Sequence, residues 1–201
     1  MKKIVTILLV ILATISVAQT SQEVEMINEI NNLRTNPTSY IVHIEAYITK
    51  QEAILKLFKM GIATAKSSTG ANGSDVITRN IKAANNAINV LKTTNILNSV
   101  TFNADMYEVT SAHADYIMTT KKIGHTNADG KRSSDRMKHL KLKGVTENIV
   151  GGGQDVIESI VILLVDSGYD DGGHRKNLLN PNSTKVSVSI NDFICVQNFA
   201  N

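Results

Sequence analysis

Cysteine is nearly absent from this chain: Cys195 is the only one in 201 residues. That excludes the disulfide framework on which small secreted domains commonly rely, so the fold must stand on its core. Cys195 sits in the apolar run Phe193-Ile194-Cys195-Val196 and reads as a buried strand residue, not a nucleophile. Tryptophan is missing, and Phe and Tyr number four and five. With abundant Ile, Val, Leu, Ala and Met, this favours helices and buried strands over an aromatic-rich binding barrel. Several catalytic signatures are also lacking. There is no His-Glu-x-x-His pair, no Gly-x-Ser-x-Gly elbow and no patterned glycine-rich phosphate loop; Gly151-Gly152-Gly153 lacks the lysine such a loop needs and reads as a flexible turn.

What is present begins with an address. Lys2 and Lys3 precede an apolar run from Ile4, and Ser16-Val17-Ala18 forms a small-residue site. Together they predict a secretory signal peptide over residues 1–18, with a single domain over 19–201. The apolar stretch, about 14 residues, is short for a membrane span, and no later run approaches the ~18 required, so no stable span is expected after cleavage. The full chain carries a formal net charge of +3, and losing residues 1–18 removes two lysines and leaves +1. The basicity belongs mostly to the leader, which argues against nucleic-acid binding driven by bulk charge. Two glycosylation triplets, Asn72-Gly73-Ser74 and Asn182-Ser183-Thr184, agree with secretion.

Hydrophobic spacing predicts a first helix through Val24, Ile27, Ile30 and Leu33, with Glu23 and Glu25 favoured in its first turn. Asn36-Pro37 ends it and opens a second helix to about Lys59, burying Ile41, Ile44, Ile48, Ile54 and Leu57. Residues 61–73 read as an exposed loop. A third helix follows from about Ser74, capped by Ser74 or Asp75, with Ile77, Ile81, Ala84, Ile88 and Leu91 on one stripe. A fourth runs from Asn103 through Met106, Val109, His113 and Ile117. After a polar stretch from Lys121 to Lys143 come strands at 145–150, 185–190 and 193–196, with an apolar helix over 156–165 between the first two. Helices first and strands late predict an α+β layered domain.

Three sites fall at element edges: Gly124-His125-Thr126, Thr146-Glu147-Asn148-Ile149, and Gly173-His174-Arg175-Lys176-Asn177 running on to Asn180-Pro181. The other histidines have plainer roles. His43 and His113 lie inside predicted helices as structural or surface imidazoles, and His139 lies in a solvated basic run. Arg136 and Arg175 are expected to act as structural clamps beside acidic neighbours.

In order along the chain, Ile30-Asn31-Asn32-Leu33-Arg34-Thr35-Asn36-Pro37, Ala112-His113-Ala114-Asp115, Gly124-His125, Glu147-Asn148-Ile149 and Gly173-His174-Arg175-Lys176-Asn177-Leu178-Leu179-Asn180-Pro181 resemble the CAP, or SCP-like extracellular, family in its disulfide-poor form. The resemblance implies an α-β-α sandwich with a cleft lined by two histidines and two acidic residues. His125 and His174 match the histidines and Glu147 one carboxylate. For the second, Ser167 stands in the family's acidic slot, Asp166 is one position away, and Glu158 belongs to the helix's solvated face. Some relatives hold a divalent metal such as zinc in this cleft, which suits neutral imidazoles with an orienting carboxylate. The functions implied are a secreted, non-enzymatic module binding a lipid or protein partner. The alternative is a metal-assisted peptidase-like hydrolase with Glu147 as general base. The aromatic motif linked with sterol binding in some relatives is not evident.

Overall fold

Alternation along three late strands sets the architecture. In a computed structural model, which describes residues 19–63, 70–151, 155–168 and 172–201, Lys185–Asn191 (β3) and Ile194–Ala200 (β4) form a hairpin. Thr146–Gly151 (β2) adds antiparallel to β4, and the two-residue Thr101–Phe102 (β1) adds parallel to β3. The sheet order is β1-β3-β4-β2, which leaves β2 at an edge. Successive side chains alternate faces. Val150, Val186, Val188, Cys195 and Phe199 share one cluster, while Ile194 and Val196 belong to another.

The first face packs against helices Ser21–Thr35 (α1) and Val156–Val165 (α6), with Ile41–Lys59 (α2) and Gly73–Thr93 (α3) beyond them; the second packs against Ala104–Thr120 (α4). A short helix, Ser133–Arg136 (α5), lies near β2, and Gly173–Leu178 (α7) follows α6. Helices thus cover both faces of a mixed sheet, the expected α+β arrangement. No helix among the described residues is long and apolar enough to cross a membrane. The predicted signal peptide, part of the 61–73 loop and two glycines of the Gly151-Gly152-Gly153 turn lie outside the described residues.

Several helix expectations change in detail. Helix α1 starts with a capping box: Glu23 N–H donates to Thr20 Oγ1 at 3.2 Å and Thr20 N–H donates to Glu23 Oε2 at 2.7 Å. Glu23 is nonetheless buried and also accepts from Tyr107 Oη at 3.0 Å and Ile190 N–H at 3.0 Å, tying α1 to α4 and β3. Val24 falls off the buried stripe and Met26 joins it. A 3₁₀ turn at Pro37–Tyr40 precedes α2. Ile54 and Leu57 are exposed there rather than buried, because α2 packs on α3 and α6 in an outer layer and not on the sheet. The cap of α3 is Asn72, not Ser74 or Asp75.

Arg34 is the least expected core residue. It has no exposed surface, yet its guanidinium donates to the carbonyls of Asn98 at 2.9 Å, Leu178 at 2.8 Å, Asn180 at 3.0 Å and Ser183 at 3.2 Å. The planar fork suits several carbonyls at once. It pins the segment after α7 to the end of α1.

Candidate functional site

The site is built on the edge strand β2. Odd positions of β2 face α4, even ones face the α1 and α6 side. Glu147 therefore points toward the loop that follows α4, and its side chain is only 2 % exposed. It accepts from His125 Nδ1 at 3.0 Å and pairs with Arg136 Nη2. Arg136 also donates Nη1 to the carbonyls of His125 and Lys131, each at 2.9 Å, so it holds the loop that carries His125 as well as the carboxylate. The expected clamp is thus Arg136 on Glu147.

Asn148 faces the other way. Its Nδ2 donates to the His174 carbonyl at 3.3 Å, and its Oδ1 accepts from Asn177 at 2.8 Å. One strand therefore positions both histidine-bearing segments, through adjacent residues on opposite faces.

The second carboxylate is Asp166. As an interior helix residue it would be rotated about 100° from its neighbour, but it is the C-cap of α6 with φ of 49°. In that left-handed conformation, which Asp tolerates better than most residues, its carboxylate turns to α7. Its Oδ2 accepts from His174 N–H at 2.8 Å and its Oδ1 from His174 Nδ1 at 2.7 Å. Ser167 is half-buried and Glu158 exposed. Gly172 makes this turn possible, with φ of +63° and no room for a Cβ, which would sit 2.6 Å from Arg175 Nη2. Arg175 in turn donates to the Leu164 carbonyl at 2.6 Å, a clamp on α6.

The structure therefore brings His125, His174, Glu147 and Asp166 together. The imidazole rings lie 6.4 Å apart between centroids, tilted by 37°. His125 has a 38 % exposed side chain and His174 a 16 % exposed one, while both carboxylates are 2 % exposed. The imidazoles form the accessible surface and the carboxylates the support. One member was missed as a neighbour of the site: His113, read as a structural or surface helix residue, is buried. Its Nε2 lies 3.0 Å from the Gly124 carbonyl and 3.8 Å from Glu147 Oε1. Since a carbonyl only accepts, Nε2 carries the proton of the neutral ring, and burial pulls the pKa of this histidine below its ordinary value. His43 is half-buried against Tyr40, and His139 is exposed. Cys195 is buried and burial pushes its thiol up to about 12, as befits an inert strand residue. On the far side of His113, Val109, Ala112 and Tyr116 line an open cavity of about 810 Å³.

The model of CAP, the cysteine-rich secretory protein family, matches residues 27–193. The chain belongs to the CAP family. That span runs from within α1 through β3 and includes all four cleft residues of this CAP domain. No curated protein matches the chain. Solved structures similar to it include three bacterial proteins. An extracellular SCP-domain protein from Bacillus anthracis is 22% identical over 63% of this chain and 38% of its own, with a TM-score of 0.46. An outer surface protein from Borrelia burgdorferi is 16% identical over 69% of this chain and 98% of its own, at 0.46. A cysteine-rich secretory protein from Staphylococcus aureus is 16% identical over 61% of this chain and 38% of its own, at 0.41. The CAP chain thus spans well under half of the Bacillus and Staphylococcus proteins.

Proposed function

We propose that this CAP domain is a secreted, extracellular, non-enzymatic binding module whose cleft holds one divalent ion, zinc by donor chemistry, between His125 and His174. The observation that carries this reading is the reciprocal pairing of each accessible imidazole with a buried carboxylate through Nδ1. A carboxylate on one ring nitrogen fixes the tautomer and makes the other nitrogen a better metal ligand. The donor set fits a borderline-soft ion that accepts neutral imidazole. Among the described residues no group of three His, Cys, Asp or Glu is placed to hold an ion, so the protein would supply two ligands and leave the remaining positions to water or to a partner's donor. Bound there, the ion would act as a Lewis acid and bridge to a partner group.

Glu147, the carboxylate a hydrolase would use as base, is engaged by Arg136 and His125 and turned away from solvent. This supports a positioning role and favours binding over turnover. The open cavity beside α4 offers apolar wall for the lipid or protein partner.

Calorimetric titration of the purified domain with zinc chloride tests the metal reading. About one equivalent should bind, and His125→Ala with His174→Ala should abolish it. No uptake, or equal uptake in the double variant, would refute the proposal. Incubation with a diverse peptide library should leave every peptide intact; cleavage lost in Glu147→Gln would establish the hydrolase instead.

A further inference from the structure

Behind the His174–Asp166 pair, on the side away from His125, helix α3 lies across the end of α6 and leaves a cavity of about 430 Å³. This is within the size range of small-molecule sites, roughly 300–1,000 Å³. Its α3 wall carries Arg79, Lys82, Asn86 and Asn89, spaced three or four residues apart and so on one helical face. Asn85 also lines it. The opposite wall is Asp166, Ser167 and Arg175.

Two independent features distinguish this wall from an ordinary solvated helix face. First, its positive charge has no paired carboxylate among the described residues. Neither Arg79 nor Lys82 forms an ion pair among the described residues. Both oxygens of Asp166, the only carboxylate among the described residues of the lining, are already taken by His174. Asp75, one turn before Arg79, lies outside the lining and is not paired with it. Like charges three residues apart weaken a helix slightly, and the domain as a whole is nearly neutral. Secondly, α3 places Asn85, Asn86 and Asn89 in its interior, where asparagine is a poor helix former. Asn85 Nδ2 is spent on the Ile81 carbonyl at 2.9 Å. The side-chain amides of Asn86 and Asn89 make no hydrogen bond among the described residues that would explain them. Local stability has been sacrificed on the face that carries the cations, as expected where a ligand is recognised.

Cations bind an acidic group, and side-chain amides, with a donor and an acceptor each, bind hydroxyls. We propose that this cavity is a second binding site, for a small sugar bearing one acidic group, with the anion on Arg79, Lys82 and Arg175 and the ring hydroxyls on Asn86 and Asn89. It is independent of the metal reading, because Asp166 serves here only as the wall between the two sites.

The test is calorimetry and ligand-observed NMR on the whole mature chain with four probes: methyl glucuronide, methyl glucoside, sodium acetate and sodium phosphate. Methyl glucuronide should bind saturably, and each of the other three at least about tenfold more weakly, the equivalent of roughly one good charged or paired hydrogen bond. Arg79→Ala with Lys82→Ala, both exposed, should abolish binding. Asn86→Ala with Asn89→Ala should weaken it about tenfold or more while raising the melting temperature, since alanine is the better helix former. A merely structural role for these asparagines predicts the opposite stability change. Lys131→Ala with Lys138→Ala, on the other side of the molecule, should bind as the parent does. The proposal is overturned if phosphate or acetate binds as tightly as the glucuronide, if no probe binds saturably, or if the asparagine variant retains full affinity.

Discussion

Replacing Arg34 by methionine keeps most of the side chain's volume and removes its charge and donors, and the structure sets the scale of the effect. Four carbonyls, those of Asn98, Leu178, Asn180 and Ser183, lose donors at 2.8–3.2 Å. Each charge-assisted bond is worth about 1.5–3 kcal/mol net, so a simple sum would reach ~6–12 kcal/mol. That overshoots, because Arg34 has no exposed surface. Its guanidinium has already been stripped of water, and burial alone works against its charge and lowers its pKa. Removing one side of a buried, hydrogen-bonded charged network typically costs about 3–5 kcal/mol. Against a domain stability of about 5–15 kcal/mol, that is a large fraction. Equilibrium urea unfolding followed by circular dichroism should show the midpoint fall by about 2 M for a slope near 2 kcal/mol per M, with the slope itself unchanged. Amide exchange in residues 178–183 should accelerate more than in α4, since the guanidinium is what ties that segment to α1. Arg34→Lys should not rescue the loss: its three donors sit on one atom and cannot span acceptors arranged around a planar fork. A loss under ~1 kcal/mol for the methionine variant, or a lysine variant as stable as the parent, would refute the reasoning.

The supporting carboxylates make a sharper prediction about the cleft. Asp166→Asn keeps the shape but weakens the hold on His174 Nδ1; zinc affinity should drop about 10–100-fold with an unchanged far-ultraviolet spectrum, and unchanged affinity would separate Asp166 from the metal reading. His113 supplies a pH dependence. Its folded pKa lies below the ordinary 6.5 because of burial, so as pH falls through that value the unfolded chain takes a proton that the folded chain refuses. This histidine's contribution is full above 6.5 and is lost below it. The stability gap between the parent and His113→Gln should therefore narrow from about pH 7.5 to about pH 5, and a constant or widening gap would contradict the assignment. Gly172→Ala should lose about 1–3 kcal/mol, because the backbone is left-handed and the new Cβ meets Arg175 Nη2; thermal unfolding indistinguishable from the parent would show that the turn adapts.

The main elements were legible because periodicity is a local property. The stripe Ile27, Ile30, Leu33 on α1 and the apolar run of α6 depend only on the face each helix buries, and both lie in the core. The same reasoning overreached at Ile54 and Leu57, where the helical stripe continues beyond the part of α2 that is covered. The two-residue β1 was invisible, since it exists only through its pairing with β3. At the cleft, His125, His174 and Glu147 were picked out by family resemblance and by their positions at element edges. Asp166 and Ser167 could not be told apart along the chain, because the left-handed cap that turns the Asp166 carboxylate toward α7 is set by the folded backbone. His113 was set aside because helix position is all the sequence shows of it. The faint signal was its place in Ala112-His113-Ala114-Asp115, four residues short of the helix's last turn.

By itself, then, the sequence determined the α+β class and the independence from disulfides, since these follow from composition and period, while the resemblance to a family pointed to His125, His174 and Glu147 as neighbours in one cleft. Tertiary structure alone decided which charges are buried and what they hold. Along the chain nothing marks Arg34, Glu23 or Glu147 as buried charges, yet all three are. Each becomes a core residue because partners 22 or more positions away, or the Arg136 guanidinium at the end of the preceding α5, arrive at bonding distance. A charge leaves water only where such partners converge, and convergence is a property of the folded chain.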